Sequence, residues 1–248
     1  MTSLRYRSAL RTHPGLVRSA NEDAALARDD AALWIVADGM GGHENGQWAS
    51  RTLIGQFEAL ALGIDPQTRG AAIIRALEAG NQAIHGAALA AGKQMGTTAV
   101  LLHCEADDVL LLWVGDSRIY RLRGEQLEQL TRDHTLVQEL VDRGSLASEE
   151  AESHPMSHVL SRAVGTEAAL RYDSRTEKAQ AGDRYLLCSD GLTKVVPEAA
   201  MAALLGRGSI DAAADRLIEQ TLSGGAPDNC TVVVLSAEEM TAIGRLPA

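Results

Sequence analysis

Three apolar runs in this 248-residue chain end in an aspartate followed by a residue that bends the backbone. LWIVAD reaches Asp38 before Gly39-Met40-Gly41-Gly42-His43, LLWVGD reaches Asp116 before Ser117-Arg118, and RYLLCSD reaches Asp190 before Gly191. A fourth carboxylate, Asp228, stands in APDNC just ahead of a last apolar run. Any one of them alone reads as a turn, because Asp-Gly after a strand is a common turn signal. Four on apolar strands need a further account. If those ends converge, the like charges repel and take up protons unless a cation compensates them. All-oxygen donors favour hard ions such as Mg²⁺ or Mn²⁺ over zinc or copper. Two such ions close together can share a bridging water, lower its pKa and place hydroxide in line with a phosphorus atom, with no covalent nucleophile. The glycines after Asp38 let the chain turn tightly enough for a main-chain carbonyl to face an ion as well.

A phosphate substrate also needs a cation for its non-bridging oxygens, and the planar fork of Arg suits two at once. Arg18, in GLVRSANED, is the candidate, three residues before Asn21-Glu22-Asp23. Read by itself, Arg18 is more readily an exposed salt bridge to Glu22 than a phosphate ligand, and Glu22 and Asp23 are more readily a charged loop.

The remaining composition narrows the field. Apolar residues make up 46% of the chain, enough for a substantial core, and aromatics only 3%, so Ala, Leu, Val and Ile must fill it. A net charge of -10 excludes a nucleic-acid-coating surface, which needs a basic face. Cys104, Cys188 and Cys230 lie beside apolar runs at wide spacing and read as buried free thiols. A cysteine-based phosphatase would place Arg one short loop after its Cys, where this chain has Leu110, Lys194 and Ser236. DGMGGH fits neither a Walker loop nor a dinucleotide fingerprint. The polar amino terminus is unlike a signal peptide, and the longest apolar run, VLLLWV, is far short of a membrane span. A cytoplasmic protein without a membrane anchor is expected.

The elements that must carry these residues follow from periodicity. Residues 4–12 predict an opening strand, and Ala24 to Ala37 a hairpin around Arg28-Asp29-Asp30. Helical spacing covers Gly46 to about Leu60 and Gln67 to Ala91, with Pro66 at the break. TTAVLLHCE, DDVLLLWVGD, SRIYRLRG and EQLEQL then suggest an antiparallel meander, followed by a helix over His134–Arg143 with Asp133 as N-cap. Residues 144–168 read as an excursion from the scaffold. RYDSRTEKAQ and DRYLLCSD return to strands, 197–206 and 209–222 to helices, and CTVVVLS closes on a strand. This order implies an α+β layered domain over residues 1–240 with a short tail at 241–248, rather than a doubly wound parallel sheet.

The ordered series GLVRSANED, VADGMGGHENG, MGTTAV, WVGDSRIYR, RDHTLV, LSRAVG, LLCSDGLT and APDNCTVVV resembles the bacterial type 2C metal-dependent serine/threonine protein phosphatases, from about residue 5 to 236. The resemblance implies a four-layer α-β-β-α sandwich, two antiparallel β-sheets flanked by helices, with a metal centre at one end. It implies that Asp38 bridges two ions (Mn²⁺ or Mg²⁺), helped by the Gly39 carbonyl, that Asp190 and Asp228 complete the second site, and that Asp116 with Asp190 fits a third. Glu22 and Asp23 would act through metal-bound water and Arg18 would hold the substrate phosphate. Thr97, Thr98 and Asn229 would give structural support. The implied partners are phosphorylated protein substrates and an opposing bacterial serine/threonine kinase of the eukaryotic-like type, with the chain acting as a monomer.

Two positions depart from the pattern. Met40 stands where many eukaryotic members have a proton-donating His, so the general acid is left unassigned, with His43 nearby. Lys194 stands where bacterial relatives often have Asp after SDGLT, which reverses a charge near the metal end. Residues 144–168 match the family's mobile flap, and its His154 and His158 are given no catalytic role. The rival from another class is a pseudophosphatase, a binding module that keeps the fold without turnover, but such proteins lose carboxylates that this chain retains.

Overall fold

The structure is a computed structural model that describes residues 4–42, 44–58, 60, 66–151 and 154–240. His43 and the 241–248 tail lie outside the described residues. Among the described residues, eleven strands and seven helices follow in the order β1 (Leu4–His13), β2 (Asp23–Arg28), β3 (Leu33–Met40), α1 (Glu44–Glu58), α2 (Pro66–Ala91), β4 (Gly96–Thr97), β5 (Ala99–Glu105), β6 (Asp108–Val114), β7 (Arg118–Arg123), β8 (Gln126–Gln129), α3 (Leu136–Asp142), α4 (Ser148–Ala151), β9 (Asp173–Lys178), β10 (Arg184–Cys188), α5 (Asp190–Thr193), α6 (Glu198–Leu205), α7 (Ile210–Ser223) and β11 (Cys230–Glu239). One sheet has the order β1-β11-β10-β7-β8 and the other β2-β3-β5-β6-β9, with β4 added to β3. Every pairing between these strands is antiparallel. The expected four-layer sandwich is what forms.

The strands read as continuous apolar runs because most are covered on both faces. Successive side chains of a strand point to opposite sides. Trp34 and Val36 therefore join Val100, Leu102, Tyr185, Leu187, Val233 and Leu235 between the sheets. Their neighbours Leu33, Ile35 and Ala37 face outward onto Leu53 and Phe57 of α1 and Leu77 and Ile84 of α2. On the far side, Tyr120, Leu186, Val232 and Val234 meet Met201 and Leu205 of α6 and Leu217 of α7. The buried Ala213, Ala214, Leu217 and Thr221 give α7 its inward stripe at helical spacing. Ser209 caps that helix, its side chain accepting the Ala212 N–H at 3.2 Å. Trp34 is fully buried; truncating such a residue to Ala costs about 3–5 kcal/mol.

Three expectations are corrected. The strands of the meander do not share one sheet: β5 pairs with β6 in one, and β7 with β8 in the other. The chain crosses between layers at Gly115-Asp116-Ser117, which only a long-range core can dictate. Asp133 is not the cap of α3. Thr135 is, accepting the Gln138 N–H at 3.2 Å, while Asp133 takes a two-pronged ion pair from Arg118 at 2.7–3.1 Å. Finally, β3 does not stop at Asp38 but continues through Gly39 and Met40, because β4 pairs with them.

The excursion at 144–168 contains α4 and is tied back by two isolated bridges, Thr135 to Leu160 and Thr97 to Val164. Cys104, Cys188 and Cys230 are buried free thiols, as expected. Among the described residues, no helix is long and apolar enough to cross a membrane.

Candidate metal centre

Both sheets deliver carboxylates to one end of the sandwich. Asp38 comes from β3 in one sheet. Asp190 and Asp228 flank β10 and β11 in the other, Asp190 as the first residue of α5 and Asp228 two residues before β11. Asp116 sits in the crossover between the two layers. Arg18, Glu22, Asp38, Gly39, Asp116, Asp190 and Asp228 all line one cleft of about 600 Å³, with Thr98, Lys194, Asn229 and the flap residues His158, Val159 and Leu160. Asp23 lies behind them, buried, its Oδ2 accepting the Ser189 hydroxyl at 2.8 Å. Arg18, Glu22, Asp23, Asp38, Gly39, Asp116, Asp190 and Asp228, singled out from sequence, are therefore at the cleft or directly behind it. Ser189 was not singled out; the only signal was its place before Asp190 in LLCSDG.

The local backbone explains how Asp38 is held. Its N–H donates to Thr98 Oγ1 at 3.0 Å, and its carbonyl accepts the Thr98 N–H at 2.8 Å and the Thr97 hydroxyl at 2.9 Å. The Thr98 hydroxyl also meets the Ser117 hydroxyl at 2.7 Å, joining the Asp38 strand to the Asp116 crossover. Gly39 is required at its position, because a Cβ there would collide with the Gly46 carbonyl of α1. Gly115 turns the crossover at φ +102, a conformation that favours glycine, with Thr98 against it. Asn229 binds the loop that carries Arg18: its Oδ1 accepts the Glu22 N–H at 2.8 Å, and its Nδ2 donates to the Pro14 and Ala20 carbonyls at 2.8 and 2.9 Å.

Asp23 and Asp38 are direct partners across β2 and β3, an arrangement that repels. Burial, then the charges of Asp23, Asp190, Asp116 and Asp228, pushes the Asp38 carboxyl well above the usual carboxylate range. Burial and then Asp190 push Asp116 up to about 7. Burial pushes Asp23 up to about 7 against the hydrogen bonds of Thr231 and Ser189. Burial also acts to raise Asp228, but the Arg18 hydrogen bond and the Lys194 charge outweigh it and hold Asp228 low. The Arg18 fork spans both Asp228 oxygens, Nε to Oδ1 at 2.9 Å and Nη2 to Oδ2 at 3.0 Å.

These groups fit divalent cations. Asp23 Oδ1 and Asp190 Oδ1 are buried without a hydrogen-bond partner, and an anion cluster of oxygens is the donor set that hard ions take. Among the described residues, no three acidic, His or Cys side chains already stand in coordinating geometry; Lys194 pairs with Asp190 and Arg18 with Asp228.

The match to known proteins settles the kinship. Residues 17–223 fit the family model described as protein phosphatase 2C. This chain belongs to the protein phosphatase 2C family. It is 42% identical over 239 residues to the serine/threonine protein phosphatase PstP of Mycobacterium tuberculosis, covering 94% of this chain but 45% of that protein, so it spans about half the length of that relative. Among solved structures of this family it resembles PppA, described as a key regulatory component of T6SS in Pseudomonas aeruginosa, with a TM-score of 0.89 at 37% identity, covering 96% of this chain and 100% of that one. The catalytic domain of a serine/threonine protein phosphatase described as PstP, solved in complex with two manganese ions, matches with a TM-score of 0.83 at 37% identity, over 96% of this chain and 100% of that one. The protein phosphatase 2C fold is thus present in this chain.

Proposed function

We propose that this chain, as one catalytic domain over residues 1–240, hydrolyses phosphoserine and phosphothreonine esters in proteins with the help of Mn²⁺ or Mg²⁺. The observation that carries this reading is the convergence of Asp38, Asp116, Asp190 and Asp228 from both sheets into one cleft beside an arginine. Asp38, the Gly39 carbonyl, Asp190 and Asp228 would hold two ions, with Glu22 and Asp23 acting through ordered water. When bound, such ions would supply Lewis acidity, drawing charge from phosphoryl oxygens and lowering the pKa of bound water so that hydroxide is available at neutral pH. The three thiols are buried within the sandwich and play no part as nucleophiles.

The side chains of this chain do the rest. Arg18 is exposed enough to meet substrate, and its Nη1 donors remain for a phosphoryl oxygen while the other prongs keep Asp228 in place. Thr97 and Thr98 fix the Asp38 backbone so that its carboxylate is preorganised. His158, Val159 and Leu160 place the flap on the wall of the cleft, where a loop on a rigid scaffold can select among phosphopeptides. The substrates on this reading are the targets of a serine/threonine kinase, whose action the chain would reverse.

The experiment is release of phosphate from a phosphothreonine peptide by the purified protein in Mn²⁺ and in EDTA. Turnover that requires the ion supports the reading. Mn²⁺ binding without turnover on any phosphopeptide would replace it with the pseudophosphatase.

A further inference from the structure

Lys194 stands between the two carboxylates that close the second ion site. It caps the short helix α5, which starts at Asp190, and its Nζ lies 2.5 Å from Asp190 Oδ2 and 3.4 Å from Asp228 Oδ2. It lines the carboxylate cleft and also the adjoining cavity of about 170 Å³ beneath the flap, with Asp116, Asp133 and His158. Asp116 adds to the attraction it feels from Asp190 and Asp228. Meanwhile Asp190 Oδ1 is buried and has no hydrogen-bond partner. One carboxylate oxygen of Asp190 is thus spoken for by Lys194, and the other is unsatisfied.

Arg18 cannot substitute for this contact, because its fork is committed to Asp228. Lys has a compact charge on a flexible four-carbon stem. The Lys194 side chain is 40% exposed, so it can leave its position towards solvent or the adjoining cavity without breaking the core. Gathering carboxylates in a cleft without a counter-charge is destabilising, and a tethered ammonium relieves that strain for the protein before any ion arrives.

We propose that Lys194 is a resident counter-ion seated between Asp190 and Asp228, and that a divalent ion is held there only when this ammonium withdraws. Loading of that site is an exchange of an ammonium for a metal ion. The consequence is that the residue at 194 sets metal affinity: it stabilises the metal-free protein and competes with the ion for the same two carboxylates. This rests on the proposed metal site, deepening it to a regulation of loading by a side chain of the chain itself.

The test compares wild type with Lys194→Met, which keeps the stem and removes the charge, and with Lys194→Arg, which keeps the charge. Mn²⁺ titration by calorimetry and thermal unfolding in EDTA and in saturating Mn²⁺ are the readouts, none of which requires turnover. Lys194→Met is expected to bind Mn²⁺ at least about tenfold more tightly, a difference of about 1.4 kcal/mol. Its metal-free melting temperature should fall and the rise on adding Mn²⁺ should widen, while Lys194→Arg stays near wild type in both. Unchanged or weaker Mn²⁺ binding by a folded Lys194→Met protein overturns the proposal, as does an unchanged metal-free melting temperature. If Lys194→Met does not fold, Lys194→Gln takes its place under the same criteria. Wild type that binds Mn²⁺ with this Lys194 dependence yet cleaves no phosphopeptide would sink the phosphatase reading alone.

Discussion

The backbone N–H of Glu22 donates to the side-chain Oδ1 of Asn229 at 2.8 Å, across 207 residues of sequence. The same amide holds the Pro14 and Ala20 carbonyls, so one buried side chain fastens the Arg18 loop to the turn that carries Asp228. Asn229→Ala strands one donor and two acceptors. Leaving a buried polar group unpaired costs about 1–3 kcal/mol, and a loss of roughly that size is expected in urea unfolding. Because Arg18 is carried on the released loop, KM for a phosphopeptide should rise with it.

Arg18→Ala is expected to raise KM more than it lowers kcat, as removal of a phosphate contact made in ground and transition states alike should. Arg18→Lys should recover only part of the loss, because a point charge cannot span both Asp228 oxygens and also reach the phosphate. Steady-state kinetics on one phosphothreonine peptide decides this. A kcat that collapses at unchanged KM would place Arg18 in the chemistry instead.

Asp38→Ala should reduce turnover by about a hundred- to a thousandfold, the order seen when a preorganised electrostatic group is removed. The fold should survive, because the backbone of residue 38 keeps its bonds to Thr97 and Thr98. A further expectation separates this from simple damage. Removing a half-buried carboxylate from among four others relieves repulsion, so the metal-free melting temperature near neutral pH should match or exceed that of wild type. Circular dichroism in EDTA measures both.

Asp116 gives a pH prediction. Its carboxyl is raised from an ordinary 3.8 to about 7 by burial and then by Asp190. Between these values the folded protein binds the proton that the unfolded chain has released, so this group's contribution to stability is present below about pH 4 and lost as pH rises through about 7. In EDTA, wild type should therefore lose more stability between pH 5 and pH 8 than Asp116→Asn, which has nothing to titrate there. The comparison between the two proteins is needed because His134, held low by burial, contributes in the opposite sense: its stability is lost as pH falls through the usual His range. Equal pH slopes for the two proteins would contradict the raised Asp116 carboxyl.

His134 joins the flap to the crossover. Its Nδ1 accepts the Gly115 N–H at 3.2 Å, which puts the ring proton on Nε2, facing Asp173 Oδ2 at 3.2 Å. Its carbonyl accepts the Ser161 N–H at 2.9 Å, and Arg162 reaches the same Asp173 at 3.0 Å. His134→Ala should speed amide exchange in residues 156–164 and lower kcat/KM, because the flap and Asp116 lose a common support. His134→Gln, able to accept from Gly115, should recover part of both. Exchange rates unchanged in His134→Ala would leave the ring as core packing against Trp113.

What the sequence determined by itself was local: which runs are strands, where the helices fall, and which aspartates stand where apolar strands give out. Those signals live within one or two turns of chain, and the ordered motifs carried them to a family and a metal centre. It did not reveal that Asp133 would leave the α3 cap to Thr135, since an Asp at that point is as good a cap until Arg118 arrives from another strand. Nor did it show that β6 and β7 part into different sheets, because runs covered on both faces carry no alternation to say which layer they join. The contacts that make the centre are longer still: Arg18 and Lys194 both reach Asp228, from 210 and 34 residues away. Spacing along a chain has no term for such pairs. They exist because two sheets with continuous apolar strands must bury both faces, and closing that sandwich leaves the charged strand ends together at its rim.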